Sequence, residues 1–205
     1  SFAAQIVNNT TSYGAQGNNS IAMGQLAKAS GSGSVAIGFG ADASNTHNIA
    51  IGYNSEASTG TYNFAFGSGA TANASYYAVA IGSDAGGNGS TAGGNGSFAT
   101  SGGVTAGNQA QALGKAYASG SNSLAAAIAN NTTSYGAQNT SGIAIGSLAK
   151  AHDSGYAIAI GRNNISSGGS GCTVIGGMNN QSVATSSIIT GGAYCSILGA
   201  AQYAR

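Results

Sequence analysis

Proline is absent from this chain of 205 residues, and charge nearly so: five Lys and Arg stand against four Asp and Glu, 4% of the residues, where about 25% is usual in soluble proteins. Disordered chains of low hydrophobicity carry high net charge or abundant proline. A net charge of +1 without proline therefore argues for a folded chain. The same scarcity removes the basic surface that nucleic acid or an anionic membrane would need, so neither is an expected partner. No run approaches 18 consecutive apolar residues, which excludes a spanning helix, and direct membrane insertion is not expected. The opening Ser1-Phe2-Ala3-Ala4, with neither an initiator Met nor the basic start of a signal peptide, reads as the start of a mature or excised segment. Glycine is abundant, 36 residues, but without the three-residue period that collagen requires.

The residues that carry chemistry are scarce too. Cys172 and Cys195 are well separated, each four positions before a glycine, Gly176 or Gly199, with no His or carboxylate cluster beside them. That is not a metal-ligand spacing, and two free or buried thiols are expected rather than a disulfide. Of His47 and His152, only the second has a carboxylate beside it, Asp153, and a solvated pair is the expected reading rather than a catalytic dyad. Nucleophile elbow, dinucleotide fingerprint and phosphate-binding loop are all missing. In the runs Gly86-Gly87-Asn88-Gly89-Ser90 and Gly93-Gly94-Asn95-Gly96-Ser97, Thr91 and Phe98 stand where a calcium-binding nonapeptide needs Asp, so calcium is not expected there. No enzyme activity, cofactor or metal is expected.

What the chain has is a repeated phrase. Ser34-Val35-Ala36-Ile37-Gly38 returns as Ser20-Ile21-Ala22-Met23-Gly24, Asn48-Ile49-Ala50-Ile51-Gly52, Asn63-Phe64-Ala65-Phe66-Gly67 and Ala78-Val79-Ala80-Ile81-Gly82. It resumes as Gly142-Ile143-Ala144-Ile145-Gly146, Ala157-Ile158-Ala159-Ile160-Gly161 and Cys172-Thr173-Val174-Ile175-Gly176. The closing glycines, Gly24, Gly38, Gly52, Gly67 and Gly82, then Gly146, Gly161 and Gly176, keep an almost constant step. One strand-like phrase per fixed period is the signature of a solenoid of stacked parallel strands. Between phrases, stretches such as Leu26-Ala27-Lys28-Ala29 suggest a shorter second strand, and each closing glycine a tight turn.

Side chains alternate faces along a strand. The large members, Val35, Ile37, Ile49, Ile51, Phe64, Phe66, Val79, Ile81, Ile143, Ile145, Ile158, Ile160, Val174 and Ile175, are expected to fill the solenoid core. The opposite face carries Ala22, Ala36, Ala50, Ala65, Ala80, Ala144 and Ala159. It is small and uncharged enough to be a subunit interface, the alternative being that alanine is merely tolerated there.

The expected fold is thus all-β, one elongated domain over 1–205 of about thirteen coils, 13 to 19 residues each. Residues 2–29 match 124–151 at an offset of 122, both copies containing Asn-Asn-Thr-Thr-Ser-Tyr-Gly-Ala-Gln, so a block has been duplicated. Long-loop coils are expected at 5–24, 82–101 and 127–146, and an irregular capping end at 191–205. Asn9, Thr11 and Tyr13, with Asn131, Thr133 and Tyr135, sit in two of the long loops. Tyr62, Tyr76 and Tyr77 fall between phrases. Exposed tyrosine among Asn and Ser suits contact with glycan or protein; packing of these rings over coil edges or between subunits is the favoured alternative.

An Asn/Ser-Val-Ala-Ile-Gly phrase returning at this step, linked by a piece like Ala27-Lys28-Ala29-Ser30-Gly31, resembles the head repeats of YadA-like trimeric autotransporter adhesins, with related repeats in phage tail fibres. The resemblance covers most of the chain. It implies a left-handed parallel β-roll, three copies packed side by side as a homotrimer, and adhesion to a host-surface glycan or protein. It also implies an extracellular place on a bacterial cell surface or a virion fibre. The neck motif, heptad stalk and membrane-barrel strands of full-length members are not seen, which implies an excised head or another fibre. A self-assembling filament subunit is the alternative, motivated by the drifting C-terminal repeats, and an ice-binding face is weakly supported for want of a Thr-x-Thr ladder.

Overall fold

The fold is taken from a computed structural model, which describes residues 1–4, 12–82, 89–126, 134–153, 155–168, 171–197 and 203–204. The chain divides into two compact units, Ser1–Gly102 and Gly103–Arg205. Each is a parallel β-solenoid, and no helix occurs among the described residues.

In the first unit, every phrase is a three-residue strand: Phe2–Ala4, Ile21–Met23, Val35–Ile37, Ile49–Ile51, Phe64–Phe66, Val79–Ile81 and Phe98–Thr100, hydrogen-bonded in that order. All these pairs are parallel and in register, with Val35 opposite Ile49 and Ile49 opposite Phe64. Two-residue strands on the return path, Gly14–Ala15, Lys28–Ala29 and Asp42–Ala43, form a second wall. Bridges from Asp42 to Glu56 to Thr71 carry that wall on to Thr71–Ala72 and Thr91–Ala92.

The second unit repeats the plan. Its long strands run from Gln111–Leu113 through Leu124–Ala126, Ile143–Ile145, Ile158–Arg162, Thr173–Met178 and Ile188–Thr190 to Tyr203–Ala204. Its short wall runs from Val104–Thr105 to Ser196–Ile197.

Register gives the coil lengths directly. Ordinary coils take the chain from Ile21 to Val35 and from Ile49 to Phe64. Longer coils take it from Phe2 to Ile21, from Val79 to Phe98, and from Leu124 to Ile143. Within those long coils, residues 5–11, 83–88 and 127–133 lie outside the described residues. Toward the C-terminus, both walls are still paired among the described residues. Ser196–Ile197 pairs with Gln181–Ser182 on the short wall, and Tyr203–Ala204 with Ile188–Ile189 on the long one. Ser196-Ile197 resembles an early phrase in the sequence because it is a short-wall strand. Cys195 therefore precedes a short strand and Cys172 a long one, so the two are not equivalent; neither forms a disulfide.

The expectation that the structure overturns is which face is inside. Ala22, Ala36, Ala50, Ala65, Ala80, Ala144 and Ala159 are fully buried within the rolls rather than displayed as an interface. Val35, Ile37, Ile49, Ile51, Phe64, Val79, Ile81, Ile143, Ile145, Ile158 and Ile160 point outward and are only half-buried, and Phe66 and Ile175 are exposed. Val174 alone of the expected core is inside, because Thr173-Val174-Ile175 places Val in the alanine slot. The cause is width. A coil as short as the one from Val35 to Ile49 holds a three-residue and a two-residue strand with tight turns between. Its two walls must approach more closely than the roughly 10 Å of ordinary packed sheets, so only side chains ending near Cβ fit. Alanines from both walls accordingly form one continuous cluster, with Ala29, Ala43, Ala72 and Ala92 supplied by the short wall of the first unit.

Most polar residues inside are hydrogen-bonded. In the slot before each long strand, Ser34 Oγ donates to the Gly31 carbonyl at 2.7 Å, and two asparagines do more. Asn48 Nδ2 donates to Ala57 O at 2.7 Å while its Oδ1 accepts from the Asn63 amide at 2.9 Å. Asn63 in turn donates to Ala74 O at 2.7 Å and accepts from the Ala78 amide at 2.8 Å. Asn164 and Asn180 repeat the device on the short wall of the second unit. Each amide ties two coils together, and a buried donor or acceptor left unpaired would cost about 1–3 kcal/mol.

The closing glycines stack on one another. At Gly38 φ is +129°, and an added Cβ would lie 2.3 Å from the Gly52 carbonyl oxygen. Gly38→Ala is therefore expected to lower stability by about 1–3 kcal/mol from backbone strain alone, with the clash adding to it. Gly114 also has positive φ, +71°, but nothing within 4 Å of an added Cβ. Gly114→Asn should cost less than about 1 kcal/mol, since Asn tolerates this backbone region. Chemical-denaturation midpoints of the two variants test the contrast.

Candidate functional site

Alternation along each long strand leaves two outward columns per roll. In the first unit these are Ile21, Val35, Ile49, Phe64, Val79 and Phe98, and beside them Met23, Ile37, Ile51, Phe66 and Ile81. In the second unit, Leu124, Ile143 and Ile158 run beside Ile145, Ile160 and Ile175. Ile21, Met23, Phe66, Leu113, Ile175 and Ile188 are each more than a third exposed. A soluble monomer seldom displays a contiguous apolar patch of more than a few hundred Å²; here nearly every rung of the long wall adds to one. The outward side of the short wall is different in kind. Lys28 Nζ lies 3.6 Å from Asp42 Oδ2, Ser44 donates to Asp42 and Ser58 to Glu56, and Asn73 Nδ2 donates to Glu56 Oε1 at 3.2 Å. In the first unit, one wall is polar on its outward side and the other apolar.

A third surface lies at the turn leading into the long strands. The residue just before the buried slot has positive φ in coil after coil: Asn19, Gly33, His47, Tyr62, Tyr77 and Gly96 in the first unit, Asn122, Ser141, Tyr156 and Gly171 in the second. Because these positions are in register, the rings at 47, 62 and 77 stack, His47 on Tyr62 with centroids 5.0 Å apart and Tyr62 on Tyr77 at 5.3 Å. Tyr76 flanks Tyr77 at 6.3 Å, tilted by 38°. A second pair, Phe39 and Tyr53, stacks at 5.4 Å on the turn that leaves the long strands.

Of the residues singled out from sequence, Tyr62, Tyr76 and Tyr77 are thus brought together and exposed. Tyr13 and Tyr135 are half-buried, Tyr135 against the alanine core of its own unit. Asn9, Thr11, Asn131 and Thr133 lie outside the described residues. His47 belongs to the same stack but was missed; the equal steps from 47 to 62 to 77, each just before a phrase, were the available signal.

His152 Nδ1 and Asp153 Oδ1 are 2.6 Å apart, with the Asp153 side chain 61% exposed. Among the described residues no three His, Cys, Asp or Glu gather as metal ligands.

Two segments, residues 15–41 and 137–164, match the YadA head domain repeat. They begin 122 residues apart, the offset that relates the duplicated block. The chain therefore carries YadA-like head repeats. The YadA head family is one of non-enzymatic, surface-exposed adhesin heads that generally form homotrimers. No curated protein matches the chain significantly.

Proposed function

We propose that this chain, bearing two copies of the YadA head repeat, is the non-enzymatic head of an extracellular surface fibre that assembles as a homotrimer and mediates adhesion to host-surface glycan or protein. The observation that carries the reading is the apolar outward side of the long wall. Full burial of a Val, Ile or Phe side chain contributes roughly 1.5–3 kcal/mol, and Val35, Ile37, Ile49, Ile51, Phe64 and Phe66 leave much of that unrealised in the single chain. Packing three long walls about a common axis would cover them, while the short walls with Lys28, Asp42 and Glu56 would face water. The alanines identified from sequence as an interface have no part in this contact, because they lie inside the rolls.

The matched repeat supports an adhesin-type surface protein. In solution the chain is expected to have a mass near three times 19.5 kDa, read by light scattering after sizing, and to bind host-cell surfaces in that form. A monomer of 19.5 kDa, or a trimer that adheres to no host surface, would overturn the proposal.

A further inference from the structure

The geometry points to a carbohydrate site at the aromatic corner of the first unit, where a neutral pyranose lays its C–H face on the outer ring face of Tyr77. This rests on the adhesin-head reading and deepens it by naming a site and a ligand class. The stack has a direction. An added Cβ at Gly33 would lie 2.8 Å from His47 Cδ2, so the imidazole leans onto the preceding coil and closes that end. Tyr62 covers His47, and Tyr77 covers Tyr62. In the following coil the same slot holds Gly96, which has no side chain to continue the column. Tyr77 is 61% exposed and Tyr76, tilted beside it, 53%, so an open ring face adjoins a second ring.

The corner is held rigidly. The Tyr76 amide donates to Asn95 Oδ1 at 3.0 Å, the Gly96 amide to Tyr76 O at 3.0 Å, and Thr61 forms a parallel bridge with Tyr76. A preorganised surface loses little freedom on binding. Its chemistry is hydroxyl and amide without formal charge: stretches 44–47, 59–62, 74–77 and 93–97 contain no Asp, Glu, Lys or Arg. A flat apolar ring edged by neutral hydrogen-bonding groups matches a neutral sugar, which offers C–H bonds on one face and hydroxyls around its rim. It offers nothing to an acidic or basic peptide.

The test is saturation-transfer NMR and titration of the assembled protein with neutral oligosaccharides ending in glucose, galactose or N-acetylglucosamine, beside a sialylated oligosaccharide and an enzymatically deglycosylated matrix protein. Transfer to ring C–H protons of a neutral terminal sugar is expected. Tyr77→Ala should weaken binding at least tenfold, and Tyr77→Phe by no more than about threefold, because the ring face is kept. Gly96→Asn should also weaken binding at least tenfold. It sets a side chain over Tyr77 without backbone strain, since Asn19 and Asn122 occupy the same slot at φ 56°. Tyr156→Ala, which removes the ring of this slot in the second unit, should change nothing. Melting temperature and mass of all four variants should match the parent. The site is overturned if no neutral sugar binds, if Tyr77→Ala or Gly96→Asn leaves sugar affinity intact, or if only the deglycosylated protein binds. Adhesion to host cells that ignores these variants would sink the site but spare the adhesin-head reading, whereas failure of the unmodified protein to adhere would sink the latter.

Discussion

The double variant Ile49→Asp/Ile51→Asp is expected to turn the proposed homotrimer into a folded monomer, with scattering mass falling from about three chains to one and circular dichroism unchanged. Both side chains face outward from one rung, Ile49 between Val35 and Phe64 and Ile51 between Ile37 and Phe66. In a single chain the carboxylates would remain in contact with water, so each roll should keep its structure. In the proposed trimer they would be withdrawn from water without a Lys or Arg to pair, because Lys28, the nearest of these in sequence, lies on the other wall. Several kcal/mol per buried carboxylate is the usual order of that penalty, and threefold symmetry repeats it in every subunit. Unchanged mass would mean that the outward columns are not the interface. Ala36→Lys with Ala50→Lys, which would break the contact if the alanine face were the interface, should behave otherwise. Both residues are fully buried, so unfolding rather than dissociation is expected.

That difference marks how far the fold could be read from the chain. Strand positions were legible because each phrase is a short alternating unit closed by glycine. The ordinary and the long coils were legible because in-register parallel stacking turns sequence spacing directly into coil length. Alternation also showed correctly that Val35 and Ile37 share one side and Ser34 and Ala36 the other. It could not show which side is inside, and the habit of placing large β-branched residues inward chose wrongly. The signal against it was present. A coil this short has little interior, and the slots that never hold a large residue through most of the chain, from Ala22 to Ala159 and from Ala29 to Ala151, are the ones facing it. The aromatic corner was half legible. Tyr62, Tyr76 and Tyr77 stood out as tyrosines between phrases, while the partnership with His47 needed register, and the open face of Tyr77 depends on a glycine one coil away.

Interior width also makes the sharpest stability prediction. Ala50→Leu should destabilise the first unit by about 3 kcal/mol or more, at or above the top of the usual 1–3 kcal/mol for overpacking. Ala50 lies fully buried between Ala36 and Ala65 in one column, and Ala43 and Ala57 belong to the same alanine core. Three added carbons require the walls to part. Yet the walls are joined through every turn, and Asn48 Nδ2 and Asn63 Nδ2 fasten adjoining coils through the carbonyls of Ala57 and Ala74. The second unit shows where a larger residue is accepted. Val174 and Ile189 occupy the alanine column there, beside the longer strands Ile158–Arg162 and Thr173–Met178, whose register shifts between Ile160 and Arg162. Ala159→Val, next to Val174 in that column, should therefore cost only about 1 kcal/mol. Denaturation midpoints of Ala50→Leu and Ala159→Val, measured on protein of unchanged subunit number, separate the two. If Ala50→Leu shifts the midpoint no more than Ala159→Val, the interior has room to spare, and something other than width keeps Val and Ile on the outside.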